Sequence, residues 1–434
     1  MDVAISSLIE KELLRQQETL AMIPSENYAS ADVRSALGSV LTNKYSEGYP
    51  NKRYYQGNGF IDEIEDIAIA RAKDLFHVPH ANVQPYSGSP ANAAVYFALL
   101  APNDAIMGLK LSGGGHLTHG HPDITFSGKY FRSVQYDVNE QGLIDMDEAE
   151  ALAKKEKPKM IVVGTTAYPR VYDWKRWREI ADSVGAFFLA DISHIAGLVV
   201  GGVHPSPVPF ADVVMTTTHK SLRGPRGAML MVTDAGLKKD PDMGGKIDKA
   251  VFPGLQGGPH DNVTAAIAVA LDEAARPEFT AYAAQVVKNA QVLSETLLNE
   301  GIVLTTGGTD NHLMVLDLRP QRLIGNIVAE ALEIAGIIVN KNSVPHDSNP
   351  PFYPSGIRLG TPALTTRGMK EDEMKQIGSW IAQVIREVGS FQLPENKEER
   401  KGFVTYVKHE LLNNSTLQNI HNDVGRMCQN FPLL

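Results

Sequence analysis

The middle of the chain alternates short apolar runs with segments of helical spacing. The stretches "AIMGLKL", "KMIVVGTTA", "AFFLADISH" and "ADVVMTTTHK" are apolar runs that end in small or polar residues, the pattern of strands buried on both faces. Between some of them, "DEAEALAKKEK" and "WKRWREIADSVG" carry helical spacing. "VQPYSGSPANAAVYFALL" reads as a strand end, a small-residue turn and an apolar helix. This alternation predicts an α/β fold with a mostly parallel sheet covered on both faces by helices. In such sheets ligands bind beyond the carboxyl ends of the strands, so the polar residues that end them are expected to share one crevice. After "FPGLQGGPHDN" the pattern changes to a long helical region, then the strands "HLMVLDLR" and "GIIVN", then more helix. The organisation expected is an N-terminal helical arm over 1–30, a large domain over 31–262 and a smaller α+β domain over 263–434. The tail segments "GFVTYVKHELLNN" and "LQNIHNDVGRMCQNF" are amphipathic at helical spacing and are expected to pack on their own domain.

Composition narrows the class. Hydrophobic residues make up 43% and charged residues 21% of the 434, the balance of a globular chain long enough for two or three domains. A formal net charge of -9 argues against nucleic acid or an anionic membrane as a partner. The only cysteine, Cys428, excludes an intramolecular disulfide and a cysteine-based metal cluster. The first residues, "MDVAISSLIEKELLRQQETL", read as an amphipathic helix without the apolar core of a signal peptide. No run of about 18 apolar residues is present. The expectation is a cytoplasmic protein with no membrane span.

Three strand-end features carry candidate chemistry. "YSGSPAN" (Tyr86–Asn92) is a Ser-Gly-Ser turn opening a helix, which is either a plain structural turn or a phosphate site built from helix N-terminal amides and hydroxyls. In "LADISH", Asp191 could cap the next helix or pair with a heteroaromatic ring nitrogen. Lys220, in "TTTHKSLRG", is either a surface lysine or one whose partly desolvated amine forms an imine with an aldehyde. A phosphate cradle, an acidic partner and an imine-forming lysine are the three handles that pyridoxal phosphate (PLP) requires. "GGGHLTHGH" holds His116, His119 and His121 without a helical frame or a carboxylate pair, so no metal site is expected there. An imidazole stacked on a pyridine ring is better motivated, because three glycines allow close backbone approach.

The motifs "NKYSEGYPNKRYYQGN", "NVQPYSGSPAN", "GGHLTHG", "TTTHKSLRGPRGAM", "FPGLQGGPH" and "SGIRLGTPALTTRGM" together resemble serine hydroxymethyltransferase, in order from about Pro24 to Met369. The resemblance implies a fold-type I PLP-dependent transferase, working as a homodimer or dimer-based tetramer with shared active sites. It implies reversible transfer of the serine hydroxymethyl carbon to tetrahydrofolate, giving glycine and 5,10-methylenetetrahydrofolate. Lys220 matches the lysine that carries PLP as an imine, with Thr217 and His219 beside it. Asp191 matches the ring-nitrogen partner and His116 the stacking histidine. Thr166 and His194 match positions at the ring edge and phenolic oxygen. Ser87, Gly88 and Ser89 resemble the phosphate turn, and Gly257 and Gly258 the glycines that reach in from a neighbouring subunit. Arg358 matches the arginine for the substrate carboxylate, Arg226 a second arginine near the lysine, and Ser25, Tyr45, Glu47 and Tyr55 substrate-side residues. Glu47 is implied to manage protons, and Tyr55 to assist exchange of the amine. Tyr54, Leu111, Gly115, Leu117 and Asn342, with Glu47, match folate-contacting positions.

Some residues depart from the family pattern. "DISH" stands where "DMAH" is commoner, Pro24 where alanine is usual, and Gly59 and Gly113 where polar residues are often found. None removes a catalytic group. Two other functions fit the same residues: a folate-independent PLP aldolase for 3-hydroxy amino acids, and a non-catalytic PLP-binding regulatory homologue. Folate acceleration of serine cleavage separates the first from the transferase, and the intact Lys220, Asp191, Glu47 and Arg358 set argues against the second.

Overall fold

A computed structural model describes residues 2–394, 396 and 398–433. It divides into two compact units, one of residues 28–139 and 143–284, the other of residues 2–27, 140–142 and 285–433.

The larger unit is built on a seven-stranded sheet in the order His80–Asn82, Ala228–Val232, Val213–Thr217, Phe187–Asp191, Met160–Val163, Ala105–Leu109, Arg132–Tyr136. The last five run parallel to one another, whereas Ala228–Val232 is antiparallel to both its neighbours. Every residue of the strands Ala105–Leu109, Met160–Val163, Val213–Thr217 and Ala228–Val232 is buried, which explains their mostly apolar sequence. The covering helices start and stop where local chemistry dictates. Asp145 caps Met146–Glu156 through the Asp147 and Glu148 amides. Asp173 accepts from the Arg176 amide at the start of Trp174–Val184, and Gly185, at φ +70°, ends that helix. The helix Asp261–Ala274 packs on Gly59–Phe76 and Ala31–Leu37, so it belongs to this unit. The expected limit at 262 therefore falls short of the unit's edge at Ala284.

The smaller unit holds a four-stranded antiparallel sheet in the order Val303–Leu304, Leu313–Asp317, Gly356–Gly360, Asn340–Asn342. Its core joins this sheet to the helices Gly325–Ile334, Glu371–Glu387, Arg400–Leu411 and Ser415–Asn430. Val407, Leu411, Leu417, Ile420, Val424 and Cys428 are buried there, as the amphipathic tail pattern requires. The N-terminal segment also belongs to this unit, because Leu20–Ala21 pairs parallel with Ile337–Ile338 and the Gly360 amide donates to the Met22 carbonyl at 2.8 Å. The helix Val3–Glu18 has no buried residue, and Leu8, Ile9 and Leu13 are each at least half exposed. No helix among the described residues is long and apolar enough to cross a membrane.

Candidate active site

The polar ends of three adjacent strands in the larger unit converge on one small cavity, lined by Gly88, His116, Thr165, Thr166, Asp191, Ser193, Met215, Thr217 and Lys220. Asp191 is the last residue of Phe187–Asp191, and Thr217 the last of Val213–Thr217. Lys220 follows in the turn after it, half-buried. Gly88 opens the helix Gly88–Leu99, and a Cβ at that position would lie 2.8 Å from Thr217 Cγ2. Only glycine lets the helix start approach the strand end so closely. Gly114, at φ +100°, serves similarly on the other side: a Cβ there would lie 2.9 Å from the Ala167 backbone. Its carbonyl accepts from the Thr166 amide at 2.8 Å, which joins the His116 turn to the Thr166 turn.

Asp191 is 8% exposed, and donors converge on its carboxylate. His119 Nε2 lies 2.9 Å from Oδ2 and Asn92 Nδ2 donates to the same oxygen at 3.1 Å. The Ser193 amide donates to Oδ1 at 3.1 Å. Burial opposes the charge, but the His119 hydrogen bond, the His119 and His116 charges and the Ser193 side chain outweigh it and hold the carboxyl well below the usual range. Burial and the neighbouring His119 and Lys220 push His116 down to about 4 against the opposing charge of Asp191, so its ring is neutral at pH 7. His219 is likewise pushed down to about 4 by burial, Arg226 and Lys220.

The cavity fits the cofactor that the three strand-end handles suggest. Ser87 precedes the helix Gly88–Leu99 without making a side-chain cap bond, so its hydroxyl is not spent on the first-turn amides. Thr217 Oγ1, which lines the cavity, is buried with no hydrogen-bond partner among the described residues. Buried polar atoms normally have partners, and a phosphate ester would supply acceptor oxygens. Ser193, part of the departure in "DISH", takes a local role. Its Oγ accepts from the Thr217 amide at 3.1 Å and ties the two strand ends together.

The chain has close relatives over most or all of its length. The family model of serine hydroxymethyltransferase matches residues 1–381. A serine hydroxymethyltransferase of Acidothermus cellulolyticus is 58% identical over 99% of this chain and 95% of its own length. One from Desulfotalea psychrophila is 56% identical over 88% of each chain, and one from Paracoccus denitrificans 52% identical over 100% of this chain and 96% of its own. The chain belongs to the serine hydroxymethyltransferase family. It is a PLP-dependent enzyme of fold-type I, and tetrahydrofolate is the family's cosubstrate.

A second cluster of expected residues gathers elsewhere in the larger unit. Glu47 and Tyr54 flank the hairpin of Gly48–Tyr49 and Lys52–Arg53, with Tyr55 one residue further. Arg53 anchors that hairpin through Asp62 at 2.8 Å, Glu65 at 2.6 Å and the Gly48 carbonyl at 2.8 Å. The Tyr45 hydroxyl donates to Glu47 Oε1 at 3.3 Å, and the Tyr45 and Tyr55 rings meet edge to face at 5.4 Å. Gly257 and Gly258 sit beside these side chains: a Cβ on Gly257 would lie 3.2 Å from Glu47, and one on Gly258 3.2 Å from the Tyr45 ring. Gln256 holds the glycine loop in place, accepting from the Tyr86 amide at 3.0 Å and donating to the Gln84 carbonyl at 2.9 Å. Neither Glu47 nor Tyr55 lines the cavity around Lys220, and neither do His194 and His219.

The remaining expected residues fall as follows. Leu111 and Leu117 are exposed and Gly115 is buried beside His116. Ser89 and Arg226 are exposed. His194 is buried, its carbonyl accepting from Ser221 Oγ at 2.9 Å. Ser25, Asn342 and Arg358 belong to the smaller unit. Sequence reasoning did not assign His119, Asn92, Thr165 or Gln256. His119 was legible as a residue, but its bond to Asp191, 72 positions away, was not.

Proposed function

We propose that this enzyme transfers the hydroxymethyl carbon of serine reversibly to tetrahydrofolate, giving glycine and 5,10-methylenetetrahydrofolate. The observation that carries the reading is the strand-end cavity shared by Lys220, Asp191, His116 and Gly88. Bound there, PLP supplies an electron sink for the charge that develops at the amino acid Cα.

The chain's own residues divide the remaining work. Lys220 Nζ would hold the cofactor through its aldehyde carbon. Asp191, held as a carboxylate by its donors, keeps a proton on the ring nitrogen. His116, neutral, would face the ring without adding charge, and Thr166 and His194 would serve its edge. Ser87, Gly88 and Ser89, with Thr217 and His219, bind the phosphate. Arg358 grips the substrate carboxylate as a bidentate partner and so fixes which bond at Cα stands perpendicular to the ring. Arg226, Ser25 and Tyr45 complete the substrate side. Glu47 moves the proton at the serine hydroxyl, and the Tyr55 hydroxyl assists amine exchange. Tyr54, Leu111, Gly115, Leu117 and Asn342 hold the folate. The clustering of Glu47, Tyr45, Tyr55, Gly257 and Gly258 apart from the Lys220 cavity supports a homodimer, or a dimer-based tetramer, in which one copy lends these residues to the other. The net charge of -9 is compatible with a cytoplasmic enzyme whose partners are small molecules.

Folate dependence tests the reading against a plain aldolase. Serine cleavage by the PLP-loaded protein is expected to accelerate at least about a hundredfold on adding tetrahydrofolate, because the cofactor alone cannot accept the one-carbon unit. Equal rates with and without folate would contradict it.

A further inference from the structure

Arg358 is 6% exposed and sits in the strand Gly356–Gly360, between Ile357 and Leu359, both at 0%. A guanidinium on so stiff a strand can still rotate about its side-chain bonds, and a planar fork is useful only if its plane is fixed. The neighbouring strand supplies the fixing group. Asn340 pairs with Arg358 in antiparallel register, and Arg358 Nε donates to Asn340 Oδ1 at 3.1 Å. The amide is itself held: Asn340 Nδ2 donates to the Lys341 carbonyl at 2.9 Å, which directs the oxygen and not the nitrogen toward the arginine.

We propose that Asn340 is the positioning residue for Arg358, setting the plane of the guanidinium that meets the substrate carboxylate while leaving its charge undiminished. The inference rests on the reading of Arg358 as the carboxylate-binding arginine. The choice of an amide is then chemically specific. A carboxylate in the same place would hold the arginine more firmly but would compete with the substrate for its charge. An apolar side chain would leave Nε without this acceptor.

The test compares the holoenzyme with its Asn340→Ala, Asn340→Asp and Arg358→Lys variants. It reads kcat and KM for serine, KM for tetrahydrofolate, and the preference for glycine over glycinamide in direct binding. Asn340→Ala is expected to raise the serine KM about tenfold, the loss of one hydrogen bond to a charged group, with kcat and the folate KM little changed. The glycine preference should fall by the same factor, a readout that mere loosening of the fold would not move. Asn340→Asp, close to isosteric, should raise the serine KM further, to about a hundredfold. It decides the matter if Asn340→Ala fails to fold. Unchanged serine KM and glycine preference in the Asn340 variants, with both lost in Arg358→Lys, would overturn the proposal and leave the role of Arg358 standing. Retention of both in Arg358→Lys would overturn that role and the proposal together.

Discussion

Asp191 keeps its charge at a buried strand end because His119, Asn92 and the Ser193 amide converge on it. A strand end, an acid and a lysine at fixed order were legible in the sequence, and so was the crowding of glycines around His116. The partners of Asp191 were not, because a histidine in "GGGHLTHGH" shows nothing of a contact made 72 residues later. The two depressed histidines make a prediction at this scale. His116 and His219 titrate near 4 in the fold against an ordinary 6.5. Between those values the unfolded chain binds more protons, up to about one per ring, so this part of the stability is present above pH 6.5 and is lost as pH falls toward 4. The thermal midpoint of the cofactor-free protein should therefore drop across that window, and more gently in a His116→Asn/His219→Asn double variant. Identical slopes would sink the assignment.

At the scale of elements, the strands with continuous apolar sequence were legible and the others were not. "RSVQY", the strand Arg132–Tyr136, lies at the sheet edge and alternates polar with apolar residues, so it lacks the buried-strand signature. The helix Asp261–Ala274 has the right period, but its partners Gly59–Phe76 and Ala31–Leu37 lie about two hundred residues earlier, and periodicity does not reveal partners. Arg367 shows what joins elements in the smaller unit. Its guanidinium is 6% exposed and donates to the carbonyls of Gln17, Thr19, Cys428 and Phe431 at 2.7–3.0 Å. These carbonyls lie at the C-terminal ends of Val3–Glu18 and Ser415–Asn430, where helix carbonyls lack intrahelical partners and the dipole favours a cation. Arg367→Ala should cost about 3 kcal/mol in urea unfolding, since four buried acceptors lose a charged donor. Arg367→Lys should recover little of it, because an ammonium lacks the planar fork. A loss below about 1 kcal/mol would show that water serves those carbonyls equally well.

At the scale of the whole molecule, each unit has a core of its own, one around Leu316, Ile381 and Val424, the other around Val162, Leu189 and Leu230. The apolar face of Val3–Glu18 and the exposed Phe60, Phe97 and Tyr54 side chains are surface that a second copy would cover. The proposal that two copies share their sites makes a sharp prediction. Lys220→Ala and Glu47→Gln should each be nearly inactive alone. Mixed, unfolded and reassembled together, they should regain about a quarter of wild-type activity, since half the random dimers are mixed and one site in each carries neither change. No recovery would place Lys220 and Glu47 in a site made by one copy.

The central claim is that Lys220 anchors PLP at the end of a buried strand. The most direct measurement is borohydride reduction of the PLP-loaded protein, followed by digestion and mass-spectrometric mapping of the phosphopyridoxyl group. The label is expected on Lys220 alone, stoichiometric with the chain, and absent from Lys220→Ala. A label on another lysine, or an unlabelled Lys220, would contradict the account.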